Sequence, residues 1–181
     1  MGKDVEEIIM AGFGGQGVLF LGKILAEVGM AAGRNVSWIP SYGPEMRGGT
    51  ANCSVVISTQ PIASPIVQEP DTLVAMNRPS VARFQPTVKK GGTLIYNSTL
   101  ISGETWRSDL QVHAVPASAI ADELGNGKVA NLVMAGAYVR HCPFLDYQQV
   151  LGWLPKVIPA KKAEMAEINR KAFVRGYEFQ G

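Results

Sequence analysis

Cysteine is nearly missing. Cys53 and Cys142 are the two in 181 residues, and they lie far apart in the sequence. Two cannot supply a four-cysteine cluster or a structural zinc site, and a metal site is not expected. A disulfide is not expected in a reducing compartment, so both are read as reduced thiols, at least one of them buried. Neither sits in a nucleophile motif. Charge of one sign is lacking too. The formal net charge is +2 and no Lys/Arg block occurs, which argues against a nucleic-acid partner. No apolar run approaches the roughly 18 residues of a membrane span. The apolar run behind Lys3, Asp4, Glu6 and Glu7 is too short for a signal peptide, so a cytoplasmic location without a membrane partner is expected. Repeats, low-complexity tracts and internal linkers are also lacking, and one domain is the default at this length.

What the chain does have is concentrated at Met10 to Leu21. An apolar run, Ile8-Ile9-Met10-Ala11, leads into Gly12, Gly14, Gly15 and Gly17, and a helix-like pattern follows. Gly12, Gly14 and Gly17 form G-x-G-x-x-G in the strand–turn–helix context that gives the motif meaning. In this reading Gly12 takes a tight turn, Gly14 and Gly15 leave the backbone open, and Gly17 lets helix and strand approach. The helix start then presents unpaired amides to an anion, with Gly12, Gly14, Gly15, Gln16 and Gly17 as the candidate phosphate turn. An NAD site needs a carboxylate about 20 residues on, at the end of the second strand. Asn35 to Ser41 contains no acid, and no arginine replaces it for a 2′-phosphate. The anion turn and a purely structural turn both stay open.

The second unusual stretch is Ser41-Tyr-Gly-Pro-Glu-Met-Arg-Gly-Gly-Thr50. One aromatic, one acid, one base and one Met ride on a rigid Gly-Pro and Gly-Gly frame. Arg47 can hold an anion beside an uncluttered backbone. The plainer alternative is a connecting loop in which Glu45 and Arg47 pair with each other or with water.

The rest reads as alternating strands and helices. Gln16 to Ala32 is a helix ended by Gly33, and Val36 to Ile39 is a strand closed by Pro40. This β-α-β opening predicts a parallel pair joined by a right-handed crossover. Cys53 to Ser58 and Thr72 to Met76 are strands, separated by a proline-punctuated excursion from Gln60 to Asp71. Pro79 opens a short helix at Val81 to Gln85. Thr93 to Tyr96 and Gln111 to Val115 are the next strands, the second being the last of the sheet. Asn97 is expected to cap the next turn. Ser118 to Leu124 is a helix. His113 is a lone strand histidine, read as structural, and His141 closes the following helix. Val129 to Arg140 is apolar nearly all round, so it must be buried in the monomer or under a partner. Tyr147 to Leu154 is a helix capped by Asp146 and interrupted by Pro155 and Pro159. Ala160 to Arg175 is the last helix, with Glu167 and Lys171 paired and Gly176 as its stop.

Gly-Phe-Gly-Gly-Gln-Gly-Val at 12–18, Ser-Tyr-Gly-Pro-Glu-Met-Arg-Gly-Gly-Thr-Ala at 41–51 and the following Cys-Ser-Val-Val-Ile-Ser resemble the gamma subunit of 2-oxoacid:ferredoxin oxidoreductases. Pro116 to Glu123, Asn131 to Ala137 and Asn169 to Tyr177 resemble it as well. The short length and helical tail look most like the 2-oxoglutarate branch. The resemblance implies a Rossmann-like, three-layer α/β domain with a mainly parallel sheet and a helical tail. It implies one domain over 1–181, with the α/β core at about 1–157 and the C-terminal helix at 158–181. It also implies a complex that converts a 2-oxoacid and coenzyme A to acyl-CoA, CO2 and reduced ferredoxin. Thiamine diphosphate, Mg and the iron–sulfur clusters would sit on other subunits. The partners implied are the alpha, beta and ferredoxin-like delta subunits, with coenzyme A as co-substrate and a homodimer as an option for the isolated chain. No catalytic residue is expected in this chain. Tyr42, Gly43, Pro44, Glu45, Met46, Arg47, Gly48 and Gly49 become the loop expected near the active site or an interface. The alternatives are a subunit of an indolepyruvate:ferredoxin oxidoreductase and a free-standing nucleotide-binding regulatory module.

Overall fold

The computed structural model describes residues 3–42, 49–141, 144–158 and 163–180. The elements are β1 (Val5–Phe13), α1 (Val18–Ala31), β2 (Asn35–Tyr42), β3 (Thr50–Ser58), β4 (Thr72–Ala75), α2 (Arg78–Phe84), β5 (Thr93–Asn97), β6 (Gln111–Val115), α3 (Ala117–Glu123), α4 (Ala130–His141), α5 (Tyr147–Val157) and α6 (Ala163–Glu178). The strands form one six-stranded sheet in the order β2-β3-β1-β4-β5-β6. β1, β4, β5 and β6 pair in parallel, and β3 runs antiparallel to both β1 and β2. The sheet is therefore mixed but mainly parallel.

The opening β-α-β is not a parallel pair. β3 lies between β1 and β2, pairing Phe13 with Thr50 on one side and Tyr42 with Ala51 on the other. β1 and β2 run the same way without touching. Local periodicity reports which residues are extended but not which strand lies beside which. A strand returning directly from β2 pairs antiparallel without a helical crossover, and this takes the place next to β1.

The period of two along β1 and β3 divides the core. Ile8, Met10, Cys53, Val55 and Ile57 face the layer holding α1, α3, α4, α5 and α6. Ile9, Ala11 and Val56 face the other side, with Val67, Val81, Val88 and Ile101. That second outer layer consists of α2 and loops, including the proline-punctuated excursion. β4 is buried along its whole length, as a central parallel strand must be.

The apolar α4 is covered by α6 of the same chain. A Cβ added at Gly136 would fall 2.0 Å from the Phe173 carbonyl oxygen, and one at Gly176 would fall 1.9 Å from that of Val133. Gly176 is thus a helix–helix contact and not a stop, and α6 continues to Glu178. The proline at 155 also fails to end its helix. α5 runs to Val157, because the Ile158 N–H still reaches the Leu154 carbonyl at 2.8 Å. Glu167 pairs with Lys171 at 3.8 Å as expected, and with Arg170 at 3.1 Å. Among the described residues no helix is long and apolar enough to cross a membrane.

Candidate functional site

The carboxyl edge of the sheet gathers the two unusual stretches. β1 ends at Phe13 and α1 begins only at Val18, later than the sequence pattern suggests, because Gly17 is a left-handed N-cap with φ 73°. A Cβ at Gly17 would fall 2.5 Å from Asn131 Nδ2, and that amide donates to the Gly17 carbonyl at 3.3 Å. Both the dihedral and the contact require glycine here. A Cβ at Gly12 would meet Gln16 Oε1 at 2.7 Å and Met76 Cβ at 3.0 Å.

Gln16 closes the turn with its own side chain. Its Oε1 accepts from the Phe13 N–H at 2.7 Å and from Asn77 Nδ2 at 3.1 Å, and its Nε2 donates to the Met76 carbonyl at 3.2 Å. Asn77 in turn caps α2 by accepting from the Ser80 N–H at 2.9 Å. The Gln16 backbone N–H donates to the Phe13 carbonyl at 3.1 Å. The fold therefore engages the side chain of Gln16 that the sequence offers to a cofactor. What remains for an anion is Gly15, exposed with open space around its α-carbon, and the start of α1. α1 has no side-chain cap and no acid in its first turn, so its first amides lack a side-chain acceptor.

The Gly14 N–H donates to the Gly49 carbonyl at 2.9 Å. This one bond sets the returning end of the Tyr42–Gly49 loop on the glycine turn. Tyr42 is the last residue of β2 and is 59% exposed. Gly43, Pro44, Glu45, Met46, Arg47 and Gly48 lie outside the described residues.

Sequence reading gave Asn77 and Asn131 no part in the turn. Both are buried polar side chains, and an Asn at the head of an otherwise apolar α4 was the available signal, since a buried amide must find a partner. Asn97 caps at long range. Fully buried, it donates to Ser118 Oγ at 2.8 Å and accepts from the Ser118 N–H at 3.3 Å, at the start of α3 and not at the next turn. His113 is not alone, because its ring stacks on His141 with centroids 3.5 Å apart. Cys53 is a buried thiol whose Sγ lies 3.5 Å from the Val18 carbonyl oxygen, and burial pushes its pKa up to about 12, so it stays protonated and inert. Cys142 lies outside the described residues. Among the described residues no three His, Cys, Asp or Glu side chains gather closely enough to hold a metal ion.

Residues 7–179 match the family model for pyruvate ferredoxin/flavodoxin oxidoreductase. The chain belongs to this family. Within it the chain is of the gamma-subunit type. It is 47% identical over 127 residues to ketoisovalerate oxidoreductase subunit VorA of Methanothermobacter marburgensis, covering 70% of this chain but 26% of that relative. The chain thus spans about a quarter of that relative's length. It is 32% identical over 176 residues to 2-oxoglutarate synthase subunit KorC of Methanocaldococcus jannaschii, covering 96% of this chain and 92% of the relative. The solved gamma subunit of a keto/oxoacid ferredoxin oxidoreductase from Geobacter sulfurreducens superposes with TM-score 0.81 at 28% identity, over 96% of each chain.

Proposed function

We propose that this chain is the gamma component of a 2-oxoglutarate:ferredoxin oxidoreductase assembled from separate subunits. The observation that carries the reading is the Gly14–Gly49 hydrogen bond, which joins the glycine turn to the Tyr42–Gly49 loop at the carboxyl edge. Ligands of open α/β sheets gather at that edge. The complex takes 2-oxoglutarate, coenzyme A and oxidised ferredoxin to succinyl-CoA, CO2 and reduced ferredoxin, in the cytoplasm. This chain forms one domain and works with alpha, beta and ferredoxin-like delta partners. Its part is to hold the phosphate-bearing end of coenzyme A, or the partner surface around it. The first amides of α1, Gly15 and the Arg47 guanidinium are the groups suited to a phosphate.

Thiamine diphosphate, Mg and iron–sulfur clusters belong to the partners in this reading. The described residues bring together no group of three His, Cys, Asp or Glu side chains for a metal ion. The choice of substrate rests on length. The 2-oxoglutarate relative is covered over 92% of its length, as a separate subunit of similar size would be. Higher identity to the ketoisovalerate relative supports a branched-chain 2-oxoacid as the second reading.

The test is reconstitution with the partner subunits and an assay of 2-oxoacid-dependent viologen reduction. 2-Oxoglutarate is expected to be the best substrate, ketoisovalerate a poor one, and the isolated chain supplied with thiamine diphosphate inactive. Turnover by the isolated chain, or a reversed substrate preference, would sink the corresponding part of the proposal.

A further inference from the structure

The opposite edge of the sheet holds a cavity of about 530 Å³. Its wall is built from the amino ends of the parallel strands, at Glu6, Thr72, Thr93 and Gln111, and from Arg34 just before β2. The nine residues of β1 set this end about 30 Å from the glycine turn.

The charges around the cavity divide into two groups. Lys3 and Lys89 are already neutralised. Lys3 Nζ lies 2.7 Å from Glu6 and 3.0 Å from Asp71, while Lys89 Nζ lies 2.6 Å from Glu7 and 3.0 Å from Asp71. Two ammonium groups thus share three carboxylates. Arg34 and Lys90 also line the cavity, and neither has a carboxylate within ion-pair distance among the described residues. The Arg34 Nε is fully buried and has no hydrogen-bond partner. Its guanidinium lies 5.5 Å from the centre of the Phe144 ring, which also faces the cavity. A buried guanidinium N–H without an acceptor is costly, because its desolvation is not offset. An oxyanion is the acceptor that matches its fork.

We infer that this amino-edge cavity binds a phosphorylated small molecule, with the Arg34 guanidinium on the phosphoryl group and Lys90 beside it. Thr93 and Gln111 line the same space, while the Gly91 and Gly92 N–H groups are spent on the Asp109 and Lys89 carbonyls at 2.9 Å each and the Gln111 amide donates to the Gly91 carbonyl at 3.4 Å. The volume exceeds what a single inorganic phosphate needs. The site lies at the opposite end of the sheet from the glycine turn.

Calorimetric titration of the full chain tests this, with inorganic phosphate and adenosine monophosphate as separate probes at constant ionic strength set by chloride. Saturable binding of the nucleotide, tighter than that of inorganic phosphate, is expected. Arg34→Gln should weaken it at least ten-fold. The exposed Lys90→Glu, which threatens the fold least, should weaken it by a similar factor. Absence of binding to the wild-type chain overturns the inference. So does binding that survives both Arg34→Gln and Lys90→Glu, since the ligand would then sit elsewhere.

Discussion

The two ends of the sheet are built from different materials. At the carboxyl edge the turn is closed by neutral groups: Gln16, Asn77 and Asn131 bond to backbone and to one another. At the amino edge the strand ends are tied by charges, with Asp71 bridging Lys3 and Lys89 while also accepting from the Glu7 N–H at 2.8 Å. Neutral hydrogen bonds between short side chains and glycine backbone fix positions closely and are indifferent to salt. Ion pairs between half-exposed lysines and carboxylates are screened by salt and respond to pH. A site that must hold one backbone shape while presenting amides is better made the first way.

The largest effect should come from breaking the carboxyl-edge geometry. Gly17→Val places a β-branched side chain at positive φ and against Asn131. The left-handed conformation alone costs about 1–2 kcal/mol, and with the steric clash the loss should reach about 3 kcal/mol. For a chain of this size that is a fall in Tm of roughly 6–12 °C by calorimetry. Gly15→Ala is the control: φ is 101°, but an added Cβ meets nothing within 4 Å. Its loss should stay near about 1 kcal/mol, the dihedral penalty alone. Equal losses in the two variants would mean that the Asn131 contact does not hold the turn.

Arg47→Ala should give the next effect, and it should appear only in the complex. Exposed ion pairs are worth about 0–1 kcal/mol, so the Tm of the isolated chain should barely move. A guanidinium clamped on a phosphate or partner carboxylate is worth about 1.5–3 kcal/mol, so assembly or coenzyme A-dependent turnover should fall about ten-fold or more. Lysine should restore only part of this, because it lacks the fork. A variant that melts several degrees lower yet turns over normally once assembled would make Arg47 a residue of the fold.

Elements were more legible in the sequence than their neighbours. Strand and helix positions follow from periodicity, and Asp146 and Pro79 mark helix starts where the structure has them. The place of β3 between β1 and β2 did not follow, because strand order is set by long-range pairing that no local pattern records. Gly176 was misread for a similar reason. A glycine near a helix end resembles a stop, and only the nearness of Val133 shows it to be a contact. The glycine turn was legible as a turn, but not the side chains that close it. Asn77 and Asn131 reach Gln16 and Gly17 from 61 and 114 residues away. The amino-edge cavity gave no motif, since its lining comes from segments scattered from Lys3 to Phe144 that only the sheet brings together.

The smallest effect should be a pH dependence near the amino edge, where His141 lines the cavity and stacks on His113. Burial lowers the His113 pKa. Burial, then His113 and Arg140, push His141 down to about 4. In the unfolded chain a histidine titrates at about 6.5. Between these two values the unfolded state binds the proton and the folded state does not. Stability therefore falls as pH falls through about 6.5, and the loss from this group is complete near 4. Both rings are partly exposed to water, so the loss should be on the order of 1 kcal/mol, below the full electrostatic figure. His141→Gln removes the titrating group while keeping a polar side chain at the end of α4. The stability gap between wild type and His141→Gln, measured by urea unfolding at pH 7.5, 6, 5 and 4.5, should shift against the wild type as the pH is lowered. Carboxylates titrating below about pH 5 affect both proteins alike and cancel in the difference. A gap that stays constant across this range would mean that the stacked pair takes up protons equally in the folded and unfolded chains. The amino edge would then owe its pH response to carboxylates alone.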